Sequence, residues 1–114
     1  MIIKNGLVFQ EDGTFSRKTI YIKNHKIVES EGQLDDKTVI DAEGLMVIPG
    51  LVDIHSHGAA GCDFSDGDRE GLKTILKYEK KSGITSYCPT SMTLPEEQLV
   101  RIFETVQNIE GAPD

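Results

Sequence analysis

The sequence is poor in aromatic residues, has no tryptophan, carries two cysteines and contains no long apolar run. Cys62 and Cys88 cannot make a disulfide framework, so reduced thiols are expected. No stretch approaches ~18 consecutive apolar residues, so no transmembrane helix is expected. The opening Met1-Ile2-Ile3-Lys4-Asn5-Gly6 lacks a basic segment followed by a long apolar one. It does not read as a signal peptide, and a cytoplasmic chain is the expectation. Basic residues are also scarce: 12 Lys and Arg against 19 Asp and Glu leave a formal net charge of -7. That balance argues against nucleic acid or an anionic membrane as the partner. It leaves room for a phosphorylated small molecule, which needs only a few local donors. Hydrophobic residues make up 38% of 114, which is one domain's worth of chain with a modest core.

What is present falls into two patterns. Residues 1–48 read as short strands. Leu7-Val8-Phe9 runs into the turn Glu11-Asp12-Gly13. Thr19 to Lys23 alternates, with Ile20 and Ile22 on one face. Asn24-His25 is a two-residue turn, and Lys26 to Glu29 is the return strand of a hairpin. Gln33 to Lys37 is polar loop. Lys37 to Asp41 is a further strand, turned by Ala42-Glu43-Gly44 into Leu45 to Ile48. The sum is a small antiparallel β module.

Residues 49–114 read as β-α-β-α. Leu51 to Ile54 is continuous and apolar, which suits a parallel strand buried on both faces. A glycine-rich loop follows, from Gly58 to Gly67. Arg69 to Ser82 is a predicted helix, with Leu72, Ile75 and Leu76 on one face, Lys80 and Lys81 in its last turn and Gly83 at C′. Ile84 to Cys88 is the next strand, and Thr90 to Thr93 is a loop. Thr93 as N-cap, Pro95 in the first turn and Glu96 completing a capping box open a second helix. Its stripe is Leu99, Ile102, Phe103 and Val106, and Asn108 to Gly111 ends it. These are the opening units of an incomplete TIM-like (β/α) barrel, so the fold class is α/β.

The second pattern is organised around Val47-Ile48-Pro49-Gly50-Leu51-Val52-Asp53-Ile54-His55-Ser56-His57-Gly58. Side chains alternate along a strand, so His55 and His57 point the same way. Two imidazoles one strand step apart can share zinc, iron or manganese, and catalytic sites of this kind take at least one more ligand. In barrels such sites lie at the carboxyl ends of the strands. Asp53, on the same face, could be a ligand, but a carboxylate two residues before the pair more often orients the ligands or the loop. Thr90 and Ser91 end the next strand and either line the pocket or bond local backbone. Cys62 could offer a thiolate but reads as packed. Asp63, Asp66 and Asp68 read as loop and cap residues, and His25 as a solvated turn residue.

The run Pro49 to Gly58 resembles the first-strand signature of the amidohydrolase superfamily. His57-Gly58-Ala59-Ala60-Gly61-Cys62-Asp63-Phe64-Ser65-Asp66, with Gly83 to Thr90 downstream, is similar to the N-acetylglucosamine-6-phosphate deacetylases within it. The resemblance implies a small β-sandwich, to which residues 1–48 contribute, and a (β/α) barrel beginning at residue 49. It implies an amino sugar phosphate as substrate, a metal-bound hydroxide as nucleophile, and release of glucosamine 6-phosphate and acetate. It makes His55 and His57 ligands of the more buried ion of a two-metal site, and it suggests a homodimer. It also places the bridging glutamate, two later histidines, the catalytic aspartate and the phosphate-binding groups in barrel units beyond Asp114. No catalytic residue is therefore expected within these 114 residues, and the chain alone is expected to be inactive.

Two other readings stand beside this one. A cyclic amide hydrolase or a deaminase would keep the superfamily and change the bond, though the Gly58 to Asp66 loop disfavours both. A non-catalytic interaction module would keep the strand and lose the enzyme.

Overall fold

The computed structural model describes residues 1–36, 38–107 and 109. The chain divides into two compact units, Met1–Pro49 and a second that begins at Gly50. The strand start expected at Lys37, and the helix end expected at Asn108, Glu110 and Gly111, fall outside the described residues.

The first unit holds β1 (Ile2–Lys4), β2 (Leu7–Phe9), β3 (Phe15–Arg17), β4 (Ile20–Lys23), β5 (Lys26–Val28), β6 (Val39–Asp41) and β7 (Met46–Val47). They form two sheets, ordered β5-β4-β1-β6 and β3-β2-β7. Asn24 and His25 make the β4–β5 turn with φ of 49° and 60°, the left-handed geometry that a tight hairpin requires. Among the described residues, Ile2, Val8 and Ala42 are the buried side chains of this unit. A groove of about 890 Å³ is lined by Val8 and Phe9 from one sheet and by Ile20, Tyr21, Ile27 and Val28 from the other. The module is not purely antiparallel, as the alternation suggested. β1 pairs with β6, and β2 with β7, in parallel. Only strands joined by a tight turn must run antiparallel. β6 and β7 return to their partners through longer stretches of chain, which allow either direction.

The second unit holds β8 (Leu51–Ser56), β9 (Gly58–Ala59), β10 (Cys62–Asp63), α1 (Arg69–Lys81), β11 (Ile84–Pro89) and α2 (Glu96–Gln107). β8 and β11 pair in parallel. The expected glycine-rich loop is partly a hairpin. β9 pairs with β10 around Ala60 and Gly61, both at positive φ, and a 3₁₀ turn over Phe64–Asp66 follows. At Gly58 a Cβ would overlap the Cys62 carbonyl oxygen, so the close approach of the two strands requires glycine there.

α1 starts where Asp68 accepts from the amides of Glu70 and Gly71, and it ends with Gly83 at φ 84°. Phe64, Leu72 and Ile102 form the core, with Leu76 and Leu94 packed on it, and Ile75 is fully buried. Two expectations fail here. β8 is not buried on both faces: Leu51, Val52 and Ile54 are exposed, Ile54 by 77%. Its sheet has two strands, and α1 lies against β9, β10 and β11. Thr93 is not the cap of α2. The Pro95 carbonyl accepts from Gln98 and Leu99, so the helix starts at Glu96, and of the expected stripe Ile102 is buried while Phe103 and Val106 are exposed.

Candidate metal centre

β8 and β11 run in the same direction, so their carboxyl ends coincide. The register pairs Asp53 with Tyr87 and Ser56 with Pro89. His55, His57, Thr90 and Ser91 therefore meet at one end of this pair. The His55 and His57 rings stand 5.2 Å apart between centroids and nearly perpendicular, at 89°. His55 is exposed and His57 half-buried.

The His57 ring is held from the neighbouring strand. Its Nδ1 lies 2.8 Å from the Thr90 carbonyl oxygen. A carbonyl only accepts, so Nδ1 carries the proton and the Nε2 lone pair of the neutral ring is left for an electrophile. This is the arrangement by which ligating histidines are oriented in metal sites. The backbone around it is tied as well. Thr90 N–H donates to the Ser56 carbonyl at 2.8 Å, and Phe64 N–H donates to the His57 carbonyl at 2.7 Å. The Tyr87 hydroxyl reaches the Ser56 carbonyl at 3.4 Å. Burial raises the Tyr87 pKa above its ordinary value, and the carboxylates of Glu79, Asp53 and Asp63 push it the same way.

The remaining candidates take supporting places. Asp53 is half-buried, and its Oδ1 accepts from the His55 amide at 2.9 Å. Thr90 acts through its carbonyl, while its hydroxyl bonds the Cys88 carbonyl at 3.3 Å. Ser91 lies half-buried beside it. Cys62 is a half-buried free thiol in β10. Asp63 accepts from the Ser65 amide in the 3₁₀ turn that Asp66 closes, and Asp68 caps α1. His25 is exposed in the β4–β5 turn of the first unit. Among the described residues, no group of three or more His, Cys, Asp or Glu side chains is placed to hold a metal ion. The histidines fit a divalent ion as two ligands, which is half of a site. The hold on His57 was not legible in the sequence, because a main-chain oxygen leaves no mark on residue identity.

Comparison with known proteins fits this picture. The chain is 27% identical to N-acetylglucosamine-6-phosphate deacetylase of Danio rerio, over 99% of its own length and 28% of the relative. It is 30% identical to dihydroorotase of Enterococcus faecalis, over 93% of its length and 26% of the relative. The chain thus spans about a quarter of the curated relatives it matches. The fold resembles the crystal structure of N-acetylglucosamine-6-phosphate deacetylase from Pasteurella multocida, with a TM-score of 0.79 and 22% identity over 96% of this chain and 31% of that one. The corresponding enzyme from Thermotoga maritima gives 0.74 and 21%, over 95% and 27%. Both are mixed α/β structures like this one. No helix among the described residues is long and apolar enough to cross a membrane. Residues 38–107, which run from β6 through both histidines to the end of α2, match the amidohydrolase family model, and the chain belongs to that family.

Proposed function

We propose that this chain is the opening part of a metal-dependent amide hydrolase that removes the acetyl group from N-acetylglucosamine 6-phosphate. The observation that carries the metal reading is the His55–His57 pair, 5.2 Å apart, with the Nδ1 of His57 taken by the Thr90 carbonyl. In this reading His55 and His57 hold one divalent ion, zinc, iron or manganese, and the complete enzyme holds two. A divalent ion bound there supplies Lewis acidity, polarising an amide carbonyl and acidifying water. The chain's own contribution is to fix the ring of His57 and the amide of His55, with Thr90, Ser91 and Asp53 around them. Residues 1–48 form part of a β-sandwich, and residues 49–114 begin a (β/α) barrel. The partner is a small amino sugar phosphate, and the complete protein is a cytoplasmic homo-oligomer.

Sequence supports the deacetylase through the His57 to Asp66 run and through the Danio rerio relative. The Enterococcus faecalis relative, at 30% identity, supports a second reading, hydrolysis of a cyclic amide. The test uses protein expressed from the reading frame continued past Asp114 and loaded with zinc or manganese. Acetate release from N-acetylglucosamine 6-phosphate is the expected outcome, with none from the 114 residues alone. Ring opening of dihydroorotate in place of acetate release would overturn the deacetylase in favour of the second reading. A stop codon directly after Asp114, with no activity of either kind, would overturn both.

A further inference from the structure

β8, which carries His55 and ends one residue before His57, is irregular where His55 stands. Between the pairs Asp53–Tyr87 and Ser56–Pro89, β8 sets two residues, Ile54 and His55, against the single residue Cys88 of β11. A shift of opposite sense lies one turn of the ladder earlier. There Thr85 is the extra residue of β11 between the pairs Leu51–Ile84 and Val52–Ser86. The two shifts cancel, so both strands reach the site in step.

An inserted residue loses its regular place in the ladder, and its amide needs another acceptor. The His55 amide has one in Asp53 Oδ1, at 2.9 Å. Insertions of this kind also re-aim the side chains they carry. The His55 ring stands at 89° to the His57 ring. The two rings thus have separate holds: His57 through its own Nδ1 from the Thr90 carbonyl, and His55 through its main chain from Asp53.

We propose that Asp53 is a positioning residue whose carboxylate holds the His55 amide in the shifted strand end and so sets where the His55 ring stands. It does not ligate the metal. What the two histidines hold rests on the metal reading given above, whereas the link between Asp53 and His55 does not.

The test compares Asp53→Asn, Asp53→Glu and Asp53→Ala in the protein expressed from the reading frame continued past Asp114, by two measurements. One is hydrogen exchange of the His55 amide. The other is zinc affinity by competition with a chromophoric chelator. Asp53→Asn keeps an acceptor oxygen at the same reach, and both readings should stay near those of the parent. Asp53→Ala removes the acceptor, and exchange should quicken by about five- to tenfold. Zinc affinity should fall by about 10- to 100-fold, as is usual when a supporting partner is lost. Asp53→Glu keeps the charge but moves the oxygen by a methylene, and it should behave like Asp53→Ala. It also serves should the alanine variant lose its fold by circular dichroism.

Ligation by Asp53 predicts the reverse order, with glutamate tolerated and asparagine not, and that order would overturn the proposal. So would an alanine variant that exchanges and binds as the parent does. A parent chain that binds no zinc would sink the metal reading alone, and the His55 exchange rates would then decide the role of Asp53.

Discussion

Gly50 stands so close to Thr85 that a methyl group on Gly50 would overlap the Thr85 hydroxyl and methyl groups and lie 2.6 Å from its Cβ. Thr85 is the extra residue of β11, so the register shift and the glycine answer each other. Gly50→Ala should lower the urea midpoint at fixed chain concentration, at a cost of about 1–3 kcal/mol for an overpacked site. Thr85→Gly frees the space, so Gly50→Ala should cost less in that background. A double-mutant cycle with no coupling between the two positions would contradict the contact.

Tyr87 gives a prediction with a definite sign. Burial, then the carboxylates of Glu79, Asp53 and Asp63, raise its pKa above the ordinary 10.0 in the folded chain. Between the unfolded and folded values, the unfolded chain has lost a proton that the folded chain keeps. Stability therefore falls as pH rises through the unfolded value and levels off above the folded one, with no pH dependence near neutral pH. Tyrosinate absorbance should show one step above pH 10 that Tyr87→Phe removes. The same variant should flatten the decline of Tm with rising pH. A Tyr87 step at or below its ordinary value would contradict the burial.

Features of the site written in side chains were legible in the sequence, and those written in the main chain were not. Strand alternation put His55 and His57 on one side, and their rings do meet. Asn24-His25 marked a hairpin, and Lys80, Lys81 and Gly83 marked the end of α1, because these residue types suit local backbone geometry wherever they occur. The parallel pairings of β1 with β6 and β2 with β7 have no local signal, since partner choice depends on where distant chain returns. Ala60 at φ 53° hid the β9–β10 hairpin, because alanine does not advertise a left-handed turn. The apolar run of β8 suggested full burial. What covers a strand is settled by other segments, and Ile54 stays exposed.

That exposure has a consequence in solution. Leu51, Val52 and Ile54 on β8 leave large apolar side chains in water, as do Val100, Phe103 and Val106 on α2. Exposed apolar surface favours association. The 114-residue chain should sediment with a weight-average mass that rises with concentration, and Ile54→Thr should reduce the rise. A monomer that unfolds in one sharp, concentration-independent transition would count against this expectation.

The histidine pair makes the last prediction. Zinc takes imidazole nitrogen at about 2.0–2.1 Å, and in the function proposed above one ion takes both rings. His55→Ala and His57→Ala should each weaken zinc binding by more than the roughly 10- to 100-fold that loss of a supporting partner costs. Thr90→Ala should bind as the parent does, because the group that holds His57 Nδ1 is the carbonyl, which alanine keeps. His25→Ala should also be neutral, since His25 is an exposed turn residue. Competition with a chelator reads all four variants on one scale. Equal affinity in the parent and the His57→Ala variant would remove the metal reading, whereas a loss on Thr90→Ala would move the hold on His57 from the main chain to the hydroxyl.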